Sequence, residues 1–343
     1  MAVKLLVVGG NSVVGAALQT LLVERNLDHK ILNTDDLNLH KKMEVAKVVS
    51  QYAPTQIINV ASYSNLELAE KDADAARLCD ENNSLIPAVL AEVCAHLALP
   101  LIHHSSSFVF DGLKVHPYSE DDPVNPVCSY GRSKWYAERS IKDVLPTHII
   151  LRTDWVFSEQ DSDFFQKHID NCKLQSGRLE VVNHRFSPTP AADVARVLLA
   201  IAQQLDCAAE VWGTYHYCSQ QPLTQETFVE HFLQEAGKYD PELQTALKTL
   251  QIVKLPVRLP YIANTVLNVQ KVFETFGIKP RMRNNSVSAL LRQLYHLQDL
   301  QAQPALGSAI DSKQDSSLQP PVKARKSKSR RRPSRKVSPQ TAK

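Results

Sequence analysis

The sequence predicts an α/β fold: a doubly wound parallel sheet, then a smaller C-terminal lobe and a disordered basic tail. Two observations carry this prediction. Short apolar runs alternate with segments of helical periodicity over residues 1–152, and that alternation is typical of consecutive βαβ units. The first apolar run ends in a glycine-containing turn, GGNSVVG at residues 9–15, and a helical pattern follows it at once. A strand, a tight turn and a helix in this order begin a Rossmann-type sheet.

The strands of the sheet are predicted from short apolar runs bounded by glycine, proline or polar residues. In chain order they occupy residues 4–8, 29–32, 56–60, 100–105 and 148–152. Apolar residues recur with helical spacing between these runs, so helices are expected after residue 12 and over residues 75–97 and 133–142. Two further helices are expected at residues 192–205 and 225–236.

Three segments are predicted along the chain. Residues 1–152 form the sheet domain. Residues 153–300 mix short strands, turns and helices, which suits a smaller substrate-binding lobe whose segments interleave in part with the sheet domain. From residue 301 onward Ser, Pro, Gln, Lys and Arg dominate. Such a composition buries too little apolar surface to offset the entropy of ordering, so residues 301–343 are predicted to be a disordered tail.

The positive charge of the chain is concentrated in that tail. The whole chain has a formal net charge of +3. Residues 304–343 contain eleven Lys and Arg but only two Asp, so this segment carries +9 and the remaining chain −6. Basic runs such as RRR at residues 330–332 can bind nucleic acid or anionic lipid by releasing counterions. A polyanion contact is therefore one expectation for the tail, and a solvated, dispensable extension is the other.

The composition also bears on the cellular location of the protein. Hydrophobic residues make up 43% of the chain, but no run of about 20 apolar residues occurs, so no membrane span is expected. The N-terminal residues 1–8 are those of a strand rather than of a signal peptide. The six cysteines show no paired spacing, which favours free thiols in a reducing cytoplasm. A cytoplasmic location is predicted.

The turn at residues 9–15 has the spacing of a dinucleotide-binding turn. Glycines allow a backbone to turn tightly and to approach a pyrophosphate closely, and the N-terminus of the following helix stabilises the anion. Gly9 and Gly15 occupy the outer positions, and Ser12 stands where the middle glycine is expected. The residue expected to bind the adenosine ribose, at the end of the second strand, is Asn33 rather than an acid. The choice between NADH and NADPH stays open.

A Tyr and a Lys four residues apart suggest acid–base chemistry. Tyr130 and Lys134 lie on one face of a predicted helix. A free phenol has a pKa near 10, and a nearby ammonium is expected to lower it toward the working range. Serines 105–107 follow the fourth strand directly, and ligands of such sheets bind outside the carboxyl ends of the strands. A serine there can bond the carbonyl of a substrate.

Taken together, these motifs resemble those of the extended short-chain dehydrogenases/reductases, and within them the dTDP-4-dehydrorhamnose reductase family. The likeness extends from about residue 3 to about residue 295. Its segments are NVASY (59–63), Glu70, Asn83, SSSFVFDG (105–112), RTDWVF (152–157), SPT (187–189), GTYH (213–216), RLP (258–260) and LN (267–268). Several of the later segments lie outside the generic fold, so they favour this family over epimerases and dehydratases.

The resemblance implies a reductase of a nucleotide-linked 4-keto-6-deoxysugar that uses NADPH or NADH, in dTDP-rhamnose or related sugar-nucleotide biosynthesis. It implies catalytic roles for Ser106, Tyr130 and Lys134. Beyond Gly9 and Gly15, the implied cofactor-binding residues are Ser12, Val13, Val14, Asn33, Asn38, Leu39, Ala61, Ser62, Tyr63, Asn83, His104, Tyr130 and Lys134. The implied substrate-binding residues are Ser106, Ser107 and Trp155. The expected partners are the sugar nucleotide, a second copy in a homodimer and a polyanion at the tail; no metal site is expected.

Several positions depart from the family pattern. The Thr of the strand-end block is Ser106, and its Asp is Ser107, which removes a charge from the expected substrate pocket. The glycine before SPT is Phe186, and the last aspartate is Asn268. These changes motivate an alternative: a non-catalytic NAD(P)-binding regulatory subunit that resembles the beta subunit of methionine adenosyltransferase. The intact set of Ser106, Tyr130 and Lys134 favours the reductase.

Overall fold

The computed structural model describes residues 3–158, 162–174, 178–207, 211–282 and 284–295. The predicted tail, residues 301–343, lies outside the described residues. The described residues belong to one compact unit. The predicted boundary at residue 152 between a sheet domain and a substrate lobe stays a prediction.

Within the described part of the chain, six parallel strands form the main sheet in the order β10-β5-β4-β3-β1-β2. The strands of this sheet are β1 Lys4–Val8, β2 Asp28–Leu32, β3 Gln56–Asn59, β4 Leu101–Ser106, β5 His148–Thr153 and β10 Gly213–Tyr217. The chain starts at β1, adds β2 on one side and crosses to β3 on the other. This reversal creates a switch point at the carboxyl ends of β1 and β3, where ligands of doubly wound sheets bind. The predicted fold class is confirmed.

The remaining strands are short and lie beyond the fifth strand of the chain. They pair in twos: β6 with β9, β8 with β11, and β7 with β12. Their bounds are β6 Val156–Phe157, β7 Arg178–Val182, β8 Arg185–Phe186, β9 Thr189–Pro190, β11 Leu223–Thr224 and β12 Gln251–Leu255. The edge strand β10 comes from this later part of the sequence, so the sheet and the second half of the chain are interleaved.

Helices cover both faces of the sheet. They are α1 Val13–Glu24, α2 Lys42–Tyr52, α3 Leu66–Lys71, α4 Ala73–Asp80, α5 Ile86–Leu97, α6 Ser129–Val144, α7 Ser162–Leu174, α8 Ala191–Asp206, α9 Gln225–Ala236, α10 Pro241–Leu247, α11 Gln270–Phe276 and α12 Asn284–Leu294. One core joins the sheet to α1, α8 and α11, and a second joins it to α2, α5 and α6. Strands covered on both faces read as near-continuous apolar runs, which is why the five predicted strands are close to the observed ones.

A third core belongs to the later half of the chain. Phe165, Phe232, Leu233 and Leu290 are buried there and come from α7, α9 and α12. Aromatic side chains bury large areas and prefer tilted or edge-to-face contacts, and Phe165 contacts Phe232 with ring centroids 4.7 Å apart. This core packs beneath the pairs β7–β12 and β8–β11, and so it supports one wall of the cavity described next.

None of the described helices is long and apolar enough to cross a membrane.

Candidate active site

A cavity of about 760 Å³ opens at the carboxyl ends of the central strands. One end is lined by the turn after β1, the middle by the residues that follow β4 together with Tyr130, and the other end by Trp155, Phe164, Lys167, His184 and Tyr261. The cavity therefore joins the predicted dinucleotide turn to the later half of the chain. Its position agrees with the switch point of the sheet.

The turn after β1 is too crowded for side chains at its glycines. A Cβ at Gly9 would lie 2.3 Å from Cα of Ala61, and one at Gly15 would lie 2.1 Å from the backbone oxygen of Gly9. Gly9 also has a φ of +93°, which L side chains rarely adopt. Both glycines are thus required for the contact between the turn, β3 and α1.

The side chain of Ser12, at the middle position, forms its hydrogen bonds within the turn itself. Its hydroxyl donates to the oxygen of Gly9 at 2.7 Å and accepts from the amide of Gly15 at 3.0 Å, which makes it the N-cap of α1. The amides of Val13 and Val14 occupy the first helical positions, where no intrahelical acceptor exists. Val13 and Val14 line the cavity with Ser12, and the N-terminus of a helix can bind an anion.

The segment after β3 is held beside this turn by a buried asparagine. Asn83 accepts from the amide of Tyr63 at 2.8 Å and donates to the oxygen of Tyr63 at 3.0 Å and to Ser133 at 3.1 Å. Ser62 lines the cavity, whereas Asn83 is fully buried. The structure therefore gives Asn83 the task of bracing the loop against α6 rather than facing the cavity.

Three other predicted cofactor residues lie after β2. Asn38 and Leu39 line a second cavity of about 400 Å³ with Asp36 and Ile86. Asn33 accepts from the amide of Asn11 through its side-chain oxygen at 3.0 Å, so it ties the glycine turn to the end of β2. Asn33 occupies the position predicted for contact with the ribose.

The three predicted catalytic residues lie close together at the middle of the large cavity, two of them in its lining and one beneath it. Ser106 ends β4, and Tyr130 lines the cavity beside Ser106 and Ser62, whose hydroxyls lower its pKa. The Lys134 ammonium donates to the backbone oxygen of His104 at 3.3 Å and lies 5.9 Å from the centroid of the Tyr130 ring. Ser106 and Tyr130 line the cavity, whereas Lys134 is buried beneath it.

Burial controls the ionisation of this group. It raises the pKa of Tyr130 to about 12 and lowers the pKa of Lys134 to about 8, because both charged forms lose solvation. The pKa of Tyr130 is therefore not brought down toward the working range as predicted, because the penalty of burying the phenolate outweighs the lowering that the Lys134 ammonium would give. His104 bonds Thr153 at 2.8 Å and has a pKa lowered by burial to about 3, so it is neutral.

The helix that carries Tyr130 is fixed at its start and at its middle. The amide of Ser129 donates to Glu70 at 2.8 Å, and the sulfur of Cys128 accepts from the amide of Gly131 at 3.4 Å. One turn after Lys134, Glu138 forms a buried bidentate pair with Arg152 of β5, at 2.8 and 2.6 Å. These contacts set the position of α6 against the ends of β4 and β5.

The far end of the cavity is aromatic. The Trp155 ring packs against Phe157, Phe164, Phe186 and Phe228, with centroid distances between 4.9 and 5.8 Å. Trp155 lines the cavity as predicted, and Phe186, which replaces a family glycine, adds a second aromatic wall. Ser107, the third predicted substrate residue, is fully buried and does not line the cavity.

Sequence reasoning missed Asp154 and Lys167, two of the charged residues that line the cavity. Asp154 is 5% exposed and lines the cavity; burial raises its pKa to about 6. Lys167 of α7 is exposed at the cavity edge. The register of β4 and β5, which pairs Ser106 with Thr153, is the signal that brings Asp154 to the site. That register is not visible in the sequence.

Comparisons with known proteins agree with this architecture. The profile of the family described as "RmlD substrate binding domain" matches residues 3–296. The chain is 29% identical over 281 residues to a dTDP-4-dehydrorhamnose reductase of Aggregatibacter actinomycetemcomitans, an alignment that covers 81% of this chain and 94% of that protein.

Solved structures share the fold. A dTDP-4-dehydrorhamnose reductase from Clostridium acetobutylicum superposes with a TM-score of 0.69 at 23% identity and covers 88% of this chain and 100% of its own. One from Bacillus anthracis, in complex with NADP, gives a TM-score of 0.68 at 21% identity, with 87% and 99% coverage. At this level of identity the likeness shows a common fold.

Proposed function

Since the chain belongs to the family of the RmlD substrate binding domain, we propose that it is an NADPH- or NADH-dependent reductase of a nucleotide-linked 4-keto-6-deoxysugar. Its relatives named dTDP-4-dehydrorhamnose reductase are similar over four fifths of the chain. The substrate class is therefore a dTDP-linked keto sugar, in dTDP-rhamnose or related sugar-nucleotide biosynthesis.

One observation carries the proposal: Ser106 and Tyr130 line the cavity that begins at the glycine turn, and Lys134 lies buried beside the Tyr130 ring. They come from the end of β4 and from two turns of α6, so only the folded sheet unites them. A regulatory subunit that merely holds a dinucleotide has no need of a phenol between two serines. This grouping supports catalysis over the alternative.

The residues present fit a dinucleotide. The glycine turn leaves no room for side chains, and the amides of Val13 and Val14 lie where a pyrophosphate would bind. Asn33, Asn38 and Leu39 would hold the adenosine half, and Ser62, Tyr63 and Lys134 the nicotinamide half. A ketone reduction needs a hydride, and that is the chemistry which bound NADPH or NADH supplies.

The chain itself manages the proton and the orientation of the ketone. Ser106 and Tyr130 would both bond the carbonyl oxygen, which places the carbonyl carbon in the cavity centre. With a pKa of about 12, Tyr130 keeps its proton at neutral pH and gives it up only to the strongly basic alkoxide that forms as the ketone is reduced. Lys134, charged below pH 8, stabilises the phenolate left behind.

Location and partners are proposed on other grounds. All six cysteines are free thiols, and Cys207 is exposed, which supports a reducing cytoplasm. We propose a homodimer and a polyanion contact by residues 304–343 as additional properties; the +9 charge of that segment supports the second.

The direct test is NADPH or NADH oxidation by the purified full chain with dTDP-4-dehydrorhamnose or an isomeric dTDP-4-keto-6-deoxyhexose. Turnover is expected, and Tyr130→Phe should lower kcat/KM by at least about 100-fold, the usual contribution of a general acid. Tyr136→Phe is the matched control, because Tyr136 is an exposed tyrosine on the same helix. A wild-type protein that binds the dinucleotide but oxidises it with none of these ketones would contradict the proposal.

A further inference from the structure

The carboxylate at the substrate end of the site comes from an unexpected strand. The family resemblance implies an aspartate at position 107, directly after β4, where this chain has Ser107. Asp154, directly after β5, is adjacent in space: its Oδ1 accepts from the Ser107 hydroxyl at 3.2 Å. Because β4 and β5 pair in register up to Ser106 and Thr153, residues 107 and 154 are equivalent positions on neighbouring strands.

Asp154 connects the parts of the site that face a substrate. Its Oδ1 also accepts from the amide of Trp155 at 2.8 Å, and its Oδ2 accepts from the amide of Ser187 at 2.5 Å. Ser187 follows Phe186, so the carboxylate holds both aromatic walls of the cavity, Trp155 and Phe186, through their backbones.

Among the described residues, no Lys, Arg or His side chain forms an ion pair with the Asp154 carboxylate. Its negative charge is therefore not neutralised by a cation within that part of the chain. Burying a carboxylate costs several kcal/mol unless hydrogen bonds compensate for the lost water. The Asp154 carboxylate lies at the cavity wall and accepts hydrogen bonds from three separate segments. Its burial costs free energy that a purely structural role would not require. An uncharged side chain would meet the same packing need at lower cost.

We propose that Asp154 is the residue that positions the substrate end of the site for the sugar ring, and that it does so in place of an aspartate at position 107. The ligand class is a nucleotide-linked deoxysugar, so this inference rests on the proposed function. The carboxylate fixes Trp155 and Phe186 against the sugar, and moving the carboxylate from β4 to β5 shifts that anchor by one strand.

The test is the affinity of the full chain, saturated with NADP⁺, for dTDP-rhamnose, measured by calorimetry so that it does not depend on turnover. Asp154→Asn should weaken binding by about tenfold, which corresponds to about 1.4 kcal/mol. Adding Ser107→Asp to that variant should restore most of the affinity. Ser107→Asp alone should weaken binding, because two carboxylates then share one buried site.

The matched control is Asp193→Asn. Asp193 is also buried, at 6% exposed, and it bonds Tyr217 and Arg196 away from the cavity. This variant should lower the Tm without changing the affinity for dTDP-rhamnose. A loss of fold alone would affect both Asp variants equally, and Ser107→Asp would not rescue it.

An affinity of Asp154→Asn within about twofold of wild type, which is below about 0.5 kcal/mol, would overturn the inference. So would a folded Asp154→Asn protein whose weakened binding is not rescued by Ser107→Asp. If the wild-type protein binds dTDP-rhamnose but reduces no ketone, the proposed reductase activity is contradicted. The role of Asp154 is still decided by whether Ser107→Asp restores the affinity of Asp154→Asn.

Discussion

The Lys134 ammonium donates to the backbone oxygen of His104 at 3.3 Å. This bond ties α6 to the end of β4, the strand that also carries Ser106. The ammonium is buried and lies 5.9 Å from the centroid of the Tyr130 ring. The relationship has consequences for the pH dependence of the proposed reaction.

Activity is predicted to fall as the pH rises through about 8. Burial lowers the pKa of Lys134 to about 8, so the ammonium is present below that pH and lost above it. Tyr130, with a pKa of about 12, keeps its proton over the same range and does not cause the fall. The measurement is kcat against pH at saturating cofactor and ketone.

Lys134→Met serves as the reference for that profile. It should have a much lower kcat, and the fall near pH 8 should be absent from its profile. If Lys134→Met still shows the same alkaline fall, then another group controls it and the role given to Lys134 is wrong.

Binding of the substrate's diphosphate is predicted to depend on Lys167. This residue is the exposed ammonium at the far end of the cavity, and a sugar nucleotide brings negative charge to that end. Lys167→Ala should raise KM for the sugar nucleotide by about tenfold, more at low ionic strength, since screening weakens exposed charge pairs. The KM for NADPH should not change.

Lys47→Ala is the matched control, an exposed lysine of α2 that does not line the cavity. Equal effects of Lys47→Ala and Lys167→Ala on KM would indicate general electrostatics rather than a binding contact.

Stability is predicted to depend strongly on the pair of Arg152 and Glu138. Both side chains are 1% exposed and bond at 2.6 and 2.8 Å. Arg152→Met should lower the free energy of unfolding by about 3–5 kcal/mol, because the buried Glu138 carboxylate then keeps only Lys142, a part-exposed ammonium 3.6 Å away, as a cationic partner. Urea unfolding followed by circular dichroism measures this change.

An exposed pair on the same helix provides the comparison. Arg139 and Asp143 lie 3.8 Å apart at the surface, so Arg139→Ala should cost less than about 1 kcal/mol. A similar loss of unfolding free energy in both variants would show that burial does not determine how much an ion pair contributes to stability.

Five of the six described strands of the main sheet were predicted from sequence, whereas the edge strand β10 and some helix bounds were not. The predicted helix at residues 133–142 begins at Ser129 in the structure, because its N-cap is Cys128, a residue outside the usual capping set. The predicted helix at residues 75–97 is divided by a π-helical turn at Glu81–Leu85. This turn contains Asn83, whose hydrogen bonds to the loop after β3 come from tertiary structure.

The catalytic grouping was predictable because its members belong to local motifs, and their chemical roles stay predictions. The substrate end was less predictable. From the sequence, Ser107 removes a charge from the expected substrate pocket. Nothing in the sequence pairs Ser107 with Asp154, forty-seven positions later. Only the register of two parallel strands brings them together, and register is a property of the folded sheet.

The most direct test of the central claim is deuterium transfer. The full chain is incubated with NADPH that carries deuterium at the transferable C4 position and with dTDP-4-dehydrorhamnose, and the product is examined by NMR and mass spectrometry. Deuterium at C4 of the sugar in the wild-type reaction, and almost none with Tyr130→Phe, is the result that carbonyl reduction at this site predicts. Unlabelled sugar and undiminished ketone, from a protein that binds both molecules, would contradict it.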